Sequence, residues 1–244
     1  MADDNIDADV RAIQGKPQPS ARVPLDRDRI IAAASSYIEE HGLPQLSMRK
    51  LGAELGVEGM SLYRYVPGRE ALLDALVQTI VDEMYLDQEV LRVPEHGWQD
   101  FLQRLAHGVR RIALSHPRAF PLVASRPLEA PWLRPPLRDL RWVELFLDGL
   151  TSEGFSDNAA VAAYRGFTSF LLGHLLLEVT TLGADVGPLD VLDEEAGASQ
   201  HRTIDEFPLV NRMSQQLAQD HAAIEFEESL ENLLDRITLL RVHG

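Results

Sequence analysis

Residues 47–69, SMRKLGAELGVEGMSLYRYVPGR, decide the fold. They read as two short helices joined by a tight turn. Leu51 and Leu55 lie on one face of the first helix, and Leu62 and Val66, four apart, give the second its buried face. Gly56 stands where the first helix stops and the backbone needs a left-handed residue. Gly52 is small enough to let the two helices approach closely. The second helix turns Glu58, Gly59, Ser61, Tyr63, Arg64 and Tyr65 outward. Hydroxyls, an arginine and small residues on one exposed face suit the major groove of DNA. An ordinary helical hairpin would show the same spacing, so the flanks matter.

Those flanks extend the pair into a small module. Residues 25–41, LDRDRIIAAASSYIEEH, form an amphipathic helix with Ile30, Ile31, Ala34, Tyr37 and Ile38 inward. Asp26 is its N-cap and Gly42 its stop. Ser47 caps the next helix, where a hydroxyl and free amides can also hold a phosphate. Arg69-Glu70 opens a fourth helix running to about Leu86.

The net charge of −15 runs against nucleic-acid binding until its distribution is read. Residues 22–70 carry seven basic and seven acidic side chains and are neutral, so most of the acid lies beyond residue 70. An acidic body discourages non-specific DNA contact and turns the arginine-bearing face toward the phosphates. Hydrophobic residues make up 45% and charged residues 25%, the composition of a globular protein. No run of 18 apolar residues occurs, the acidic start is no secretory signal, and there is no cysteine. A cytoplasmic protein without a membrane span is expected.

At Leu25-Asp26, Ser47-Met48-Arg49-Lys50-Leu51, Leu55-Gly56-Val57, Leu62-Tyr63-Arg64-Tyr65-Val66 and Arg69-Glu70-Ala71-Leu72-Leu73-Asp74 the chain resembles the tetracycline-repressor-like (TetR) transcriptional regulators. Trp98-Gln99-Asp100-Phe101-Leu102, Ser125-Arg126-Pro127, Gly154-Phe155-Ser156 and Leu172-Gly173 resemble the regulatory domain of the tetracycline-repressor branch itself. The resemblance implies an all-α fold, with a three-helix helix-turn-helix domain joined to a larger helical ligand-binding and dimerisation domain. It implies a ligand-released homodimeric repressor on a palindromic double-stranded operator. By matching positions, Arg49 is the base-reading arginine, and Glu58, Gly59, Met60 and Ser61 face base edges. Ser47, Lys50, Tyr63 and Arg69 are phosphate contacts, and Arg64 and Tyr65 stand where the family varies its specificity.

The expected organisation is an N-terminal arm at 1–23, disordered and with little to bury, a DNA-binding domain at 24–70 and a helical domain at 71–244. Helices are expected near 69–86, 97–115, 135–153, 157–182, 205–219 and 222–241. Residues 117–136 hold six of the fourteen prolines, which forbids a long helix there. Residues 183–203 read as an acidic loop. Phe226, Leu230, Leu233, Ile237 and Leu240 recur at spacings of 4, 3, 4 and 3, a coiled-coil-like seam, and Ala163 and Gly166 offer small contacts on 157–182. Both helices could pack within their own subunit. The resemblance favours a four-helix bundle with two helices from each subunit.

Around an effector pocket we place Tyr85, Leu105, Val109, Leu122, Arg126, Trp132, Trp142, Phe167, Phe170 and His174, aromatics with a few polar groups. Against the tetracycline branch, Leu122 replaces its metal-binding histidine, Tyr85 replaces a pocket histidine, and Leu105 and Val109 replace an asparagine and a phenylalanine. The departures argue against a magnesium–tetracycline ligand and for a more apolar small-molecule effector. His174 and Glu178 lie one turn apart, but no HExxH or second pair accompanies them, so neither a metal nor another cofactor is expected. The alternatives are a helical dimerisation scaffold without DNA binding, or a metal-dependent hydrolase using His107, His116 or His174 with Glu178. No nucleophile motif or phosphate loop supports an enzyme.

Overall fold

The computed structural model describes residues 24–86, 96–125, 139–185 and 206–243. Among them are ten α-helices and no strand. The arm at 1–23, most of the 183–203 loop, Arg126 and Trp132 lie outside the described residues.

Four helices build the first cluster. α1 (Arg27–His41) starts where the Asp26 carboxylate accepts the Arg29 N–H at 2.8 Å, and it ends at Gly42. A short 3-10 turn at Leu43–Gln45 leads to α2 (Met48–Glu54), α3 (Gly59–Leu62) and α4 (Arg69–Leu86). Ile30, Ile38, Leu51, Leu62, Leu72 and Val77 are all but sealed from solvent in a shared core. α4 therefore belongs to the packing of the head as well as leading out of it.

The second cluster holds α5 (Trp98–Ser115), α7 (Leu140–Ser152), α8 (Asp157–Thr181) and α10 (Ala222–His243) around Trp98, Phe101, Phe146, Phe167 and Phe226. α6 (Phe120–Ser125) sits between the clusters, with Phe120 in the second and Leu122 in the first. By length and composition α8 could cross a membrane. Its apolar face instead packs on α5, α7 and α10.

The helix bounds differ from expectation in places. α7 begins at Leu140, where the Asp139 carboxylate accepts the Arg141 N–H at 2.8 Å, rather than at 135. α9 (Pro208–Leu217) is shorter than 205–219 because Pro208, which cannot donate, sets its first turn. α3 is a single turn.

The residues of the seam expected to join two subunits are largely covered within one subunit. Phe226, Leu230 and Ile237 of α10 and Ala163 of α8 are at most 1% exposed, because the two helices of one subunit pack on each other. Leu233 and Leu240 are half-buried, and only Gly166 of the set is exposed. A 4-3 spacing marks an apolar face without saying whose core covers it.

Candidate functional site

Gly52 and Gly59 set the geometry of the helix-turn-helix. A Cβ on Gly52 would lie 2.7 Å from the Gly59 nitrogen, and a Cβ on Gly59 would lie 2.9 Å from the Met48 carbonyl oxygen. No side chain fits at this crossing. Gly56, at φ +68°, makes the turn between them, and the Val57 N–H donates to the Gly52 carbonyl at 2.9 Å. The Ser47 hydroxyl accepts the Lys50 N–H at 3.2 Å and so holds the start of α2.

The face expected to meet DNA is on the outside of this pair. Arg49, Glu58, Tyr63, Arg64 and Tyr65 are exposed, and Met60 is 75% exposed despite being apolar. Gly59 and Ser61 are half-buried beneath them. Two of the expected phosphate contacts have intramolecular work. Lys50 Nζ donates to Gln45 Oε1 at 2.7 Å. Arg69 donates through Nε to the Leu46 carbonyl at 3.3 Å and through a terminal nitrogen to the Leu43 carbonyl at 3.4 Å. Arg69 thus braces the turn that leads into α2.

In the body, a cavity of about 40 Å³ opens between α4, α5, α6, α7 and α8. Its walls are almost entirely apolar, with Met84, Val109, Phe120 and Trp142 among them. Asp139 and Thr168 are the polar exceptions. Burial works against the Asp139 charge, but hydrogen bonds from the Arg141 side chain and backbone prevail and hold its carboxyl below the usual range. Thr168, 3% exposed, has a buried hydroxyl that makes no hydrogen bond. Burial pushes the neighbouring Tyr164 phenol up to about 12, and the Thr168 hydroxyl beside it opposes the shift.

Of the residues expected around a pocket, Val109 and Trp142 line this cavity. Leu105 and Phe167 are sealed core residues, and Leu122 packs in the head cluster, so these three do not line it. Tyr85 lies under the Arg141 guanidinium at 4.4 Å, with its hydroxyl buried and unpaired. Burial, and then Asp139, push that phenol's pKa upward. Phe170 and His174 pack on Phe226 instead, at 5.8 and 5.3 Å between ring centres. Glu178 is gripped by Arg110 at 2.6 and 3.1 Å, and His174 Nε2 stands 4.0 Å from it. Thr168 was missed by sequence reasoning. A signal existed: it shares the inward face of α8 with Tyr164, Phe167, Leu171 and Leu175, where a hydroxyl has no evident partner.

A tightly crossed helix pair with an exposed arginine-bearing face, mounted on a helical body with an internal cavity, defines a helix-turn-helix DNA-binding regulator. Residues 30–76 match the family described as bacterial regulatory proteins, tetR family, and residues 92–239 match the tetracyclin repressor-like C-terminal domain. The chain belongs to the TetR family of transcriptional regulators. It is 28% identical over 169 residues to an HTH-type transcriptional regulator of Saccharopolyspora erythraea, covering 68% of this chain and 67% of that protein. It is 31% identical over 153 residues to the class D tetracycline repressor of Escherichia coli, covering 62% and 66%. A crystal structure described as a possible TetR family transcriptional regulator from Streptomyces coelicolor superposes with a TM-score of 0.68 at 27% identity, covering 88% of this chain and all of that one. The family is one of transcriptional regulators and is generally non-enzymatic.

Proposed function

We propose that this chain is a cytoplasmic, homodimeric repressor that holds a palindromic operator until a small molecule releases it. The observation that carries the reading is the exposed face of Arg49, Glu58, Met60, Tyr63, Arg64 and Tyr65 on a helix pair too tightly crossed to shift. Arg49 grips a guanine edge through two hydrogen bonds, and Glu58, Gly59, Met60 and Ser61 meet neighbouring base edges. Ser47, Lys50 and Tyr63 hold phosphates, while Arg64 and Tyr65 tune sequence choice. Arg69 keeps the 43–46 turn in place beneath them and reaches phosphate only as a second duty. We take 24–70 as the reading head and the rest as the regulatory body.

Dimerisation is supported by apolar surface that one subunit leaves wet. Leu177 of α8 is 71% exposed, and Ile224 and Val242 of α10 are 58% and 72% exposed. Ala162, Gly166, Ser169 and Gly173 make an exposed stripe of small residues along α8. α9 buries no residue, yet carries Leu209, Val210, Met213 and Leu217. A two-fold pairing through these faces sets two reading heads about one DNA turn apart.

Release follows from the double role of α4. Its first half, Leu72 to Val77, is packed into the head, while Ile80, Val81 and Met84 wall the cavity. A ligand that binds better when α4 has shifted draws the heads away from operator spacing, by as much as its differential affinity allows. The test is the salt dependence of binding to duplex DNA. Affinity is expected to fall steeply with salt, with Lys50→Ala reducing the log–log slope by about one. Salt-independent binding, or none at low salt, contradicts the reading.

A further inference from the structure

Threonines inside helices usually return their hydroxyl to a carbonyl one turn back. In this chain Thr79, Thr151, Thr180, Thr181 and Thr238 all do so, donating to Ala75, Leu147, Leu177, Glu178 and Leu234 at 2.6–3.1 Å. Thr168 is the exception among the described residues. It is mid-helix and 3% exposed, it lines the cavity, and its hydroxyl is unpaired. A buried hydroxyl left unmade is costly, which makes Thr168 Oγ1 the natural polar contact for a molecule entering the cavity it lines.

Water is a poor occupant. A cavity of about 40 Å³ holds roughly three water molecules by volume, but each needs two to four polar partners. Among the described residues the only polar lining residue beyond Thr168 is Asp139, whose carboxylate already accepts from Arg141 Nε at 3.0 Å and from the Arg141 N–H at 2.8 Å. The described lining also suits a charged occupant poorly, because it would be desolvated against apolar walls whose one described carboxylate is already paired with Arg141. The small volume means that any ligand of ordinary size must push α4, α6 and α8 apart to enter.

We infer that the effector is an uncharged, largely apolar molecule carrying one hydroxyl or carbonyl oxygen, and that this oxygen is read by Thr168 Oγ1. The inference rests on the cavity being the effector site. It makes Thr168 the residue that distinguishes the effector from a plain hydrocarbon of the same shape.

The test uses phenol and toluene, which match in shape and differ by one hydroxyl. Calorimetry on the full chain gives the ratio of their affinities for wild type, Thr168→Val and Thr168→Ser. Thr168→Val is expected to lower the phenol-to-toluene ratio roughly tenfold, and Thr168→Ser to retain most of it. An unchanged ratio in Thr168→Val, or no binding of either probe to wild type, overturns the inference. Binding to random-sequence duplex is followed in the same samples. A shifted ratio in a chain that binds no DNA leaves the hydroxyl-reading site standing and sinks the regulator reading alone.

Discussion

Glu39 of α1 and Ala119, at the threshold of α6, are joined by a hydrogen bond of 3.1 Å from the Ala119 N–H to the Glu39 carboxylate. The other carboxylate oxygen accepts the Arg118 N–H at 3.2 Å. A side chain of the DNA-reading head therefore caps the helix that carries Phe120 and Val123 into the cavity wall. The Arg118 guanidinium returns the contact by donating to the Glu40 carbonyl at 2.7 Å. His116, just past the end of α5, meets Glu83 of α4 at 3.0 Å on the same junction. Removing the cap with Glu39→Ala is expected to cost about 1–2 kcal/mol of stability and to weaken ligand-driven release. Urea unfolding measures the first and operator release by ligand the second. A variant as stable and as responsive as wild type would remove Glu39 from the coupling.

Gly52→Ala places a methyl where the Gly59 nitrogen stands 2.7 Å away, so the helix pair must spread. The expected cost is about 1–3 kcal/mol in the head, with at least tenfold weaker DNA binding. Amide exchange should quicken in α2 and α3 and stay unchanged in α8. Uniform acceleration would mean that the head and body unfold as one unit.

Arg110 and Glu178 form a largely buried ion pair, with side chains 18% and 7% exposed and two hydrogen bonds between them. The Glu178 hydrogen bond raises the Arg110 pKa above its ordinary value. The Arg110 guanidinium also lies over the Phe226 ring at 5.0 Å, tying α5 to α10. Breaking the pair with Glu178→Ala strands a buried cation and should cost about 3 kcal/mol or more, whereas Arg110→Met with Glu178→Leu should lie near wild type. Chemical denaturation of the single and double variants decides it. Equal losses in both would assign the stability to the pair itself.

Asp139 titrates below its ordinary range in the folded chain. A depressed carboxyl contributes stability above its unfolded pKa of about 4 and loses it as pH falls through the folded value. Thermal unfolding between pH 3 and 7 should therefore show Asp139→Asn less stable than wild type near neutrality, with the gap closing below about pH 4. A gap constant across that range would mean that the charge of Asp139 is not what holds the start of α7.

The head was legible in the sequence because its constraints are local. Asp26 and Ser47 cap the helices that follow them within three residues, Gly56 needs a positive φ, and Gly52 meets Gly59 across one short turn. Each demand falls on a residue type that can be read from its neighbours. The body imposes no such demand. Phe226, Leu230 and Ile237 announce an apolar face, but the α8 that covers them lies far away in the chain, and nothing in the spacing says which subunit supplies it. The cavity draws on five helices, so Leu105 and Phe167, as apolar as Val109, went to the core for reasons of tertiary packing alone.

The central claim is that the exposed face around Arg49 reads a two-fold operator. Selection of bound sequences from a random duplex pool, run with wild type and Arg49→Ala side by side, tests it most directly. Wild type should enrich a palindrome with half-sites about one helical turn apart, and Arg49→Ala should lose about 1–3 kcal/mol and relax the choice at one symmetric position in each half-site. Enrichment of no sequence by wild type at low salt, or of the same palindrome at undiminished strength by Arg49→Ala, would contradict the account.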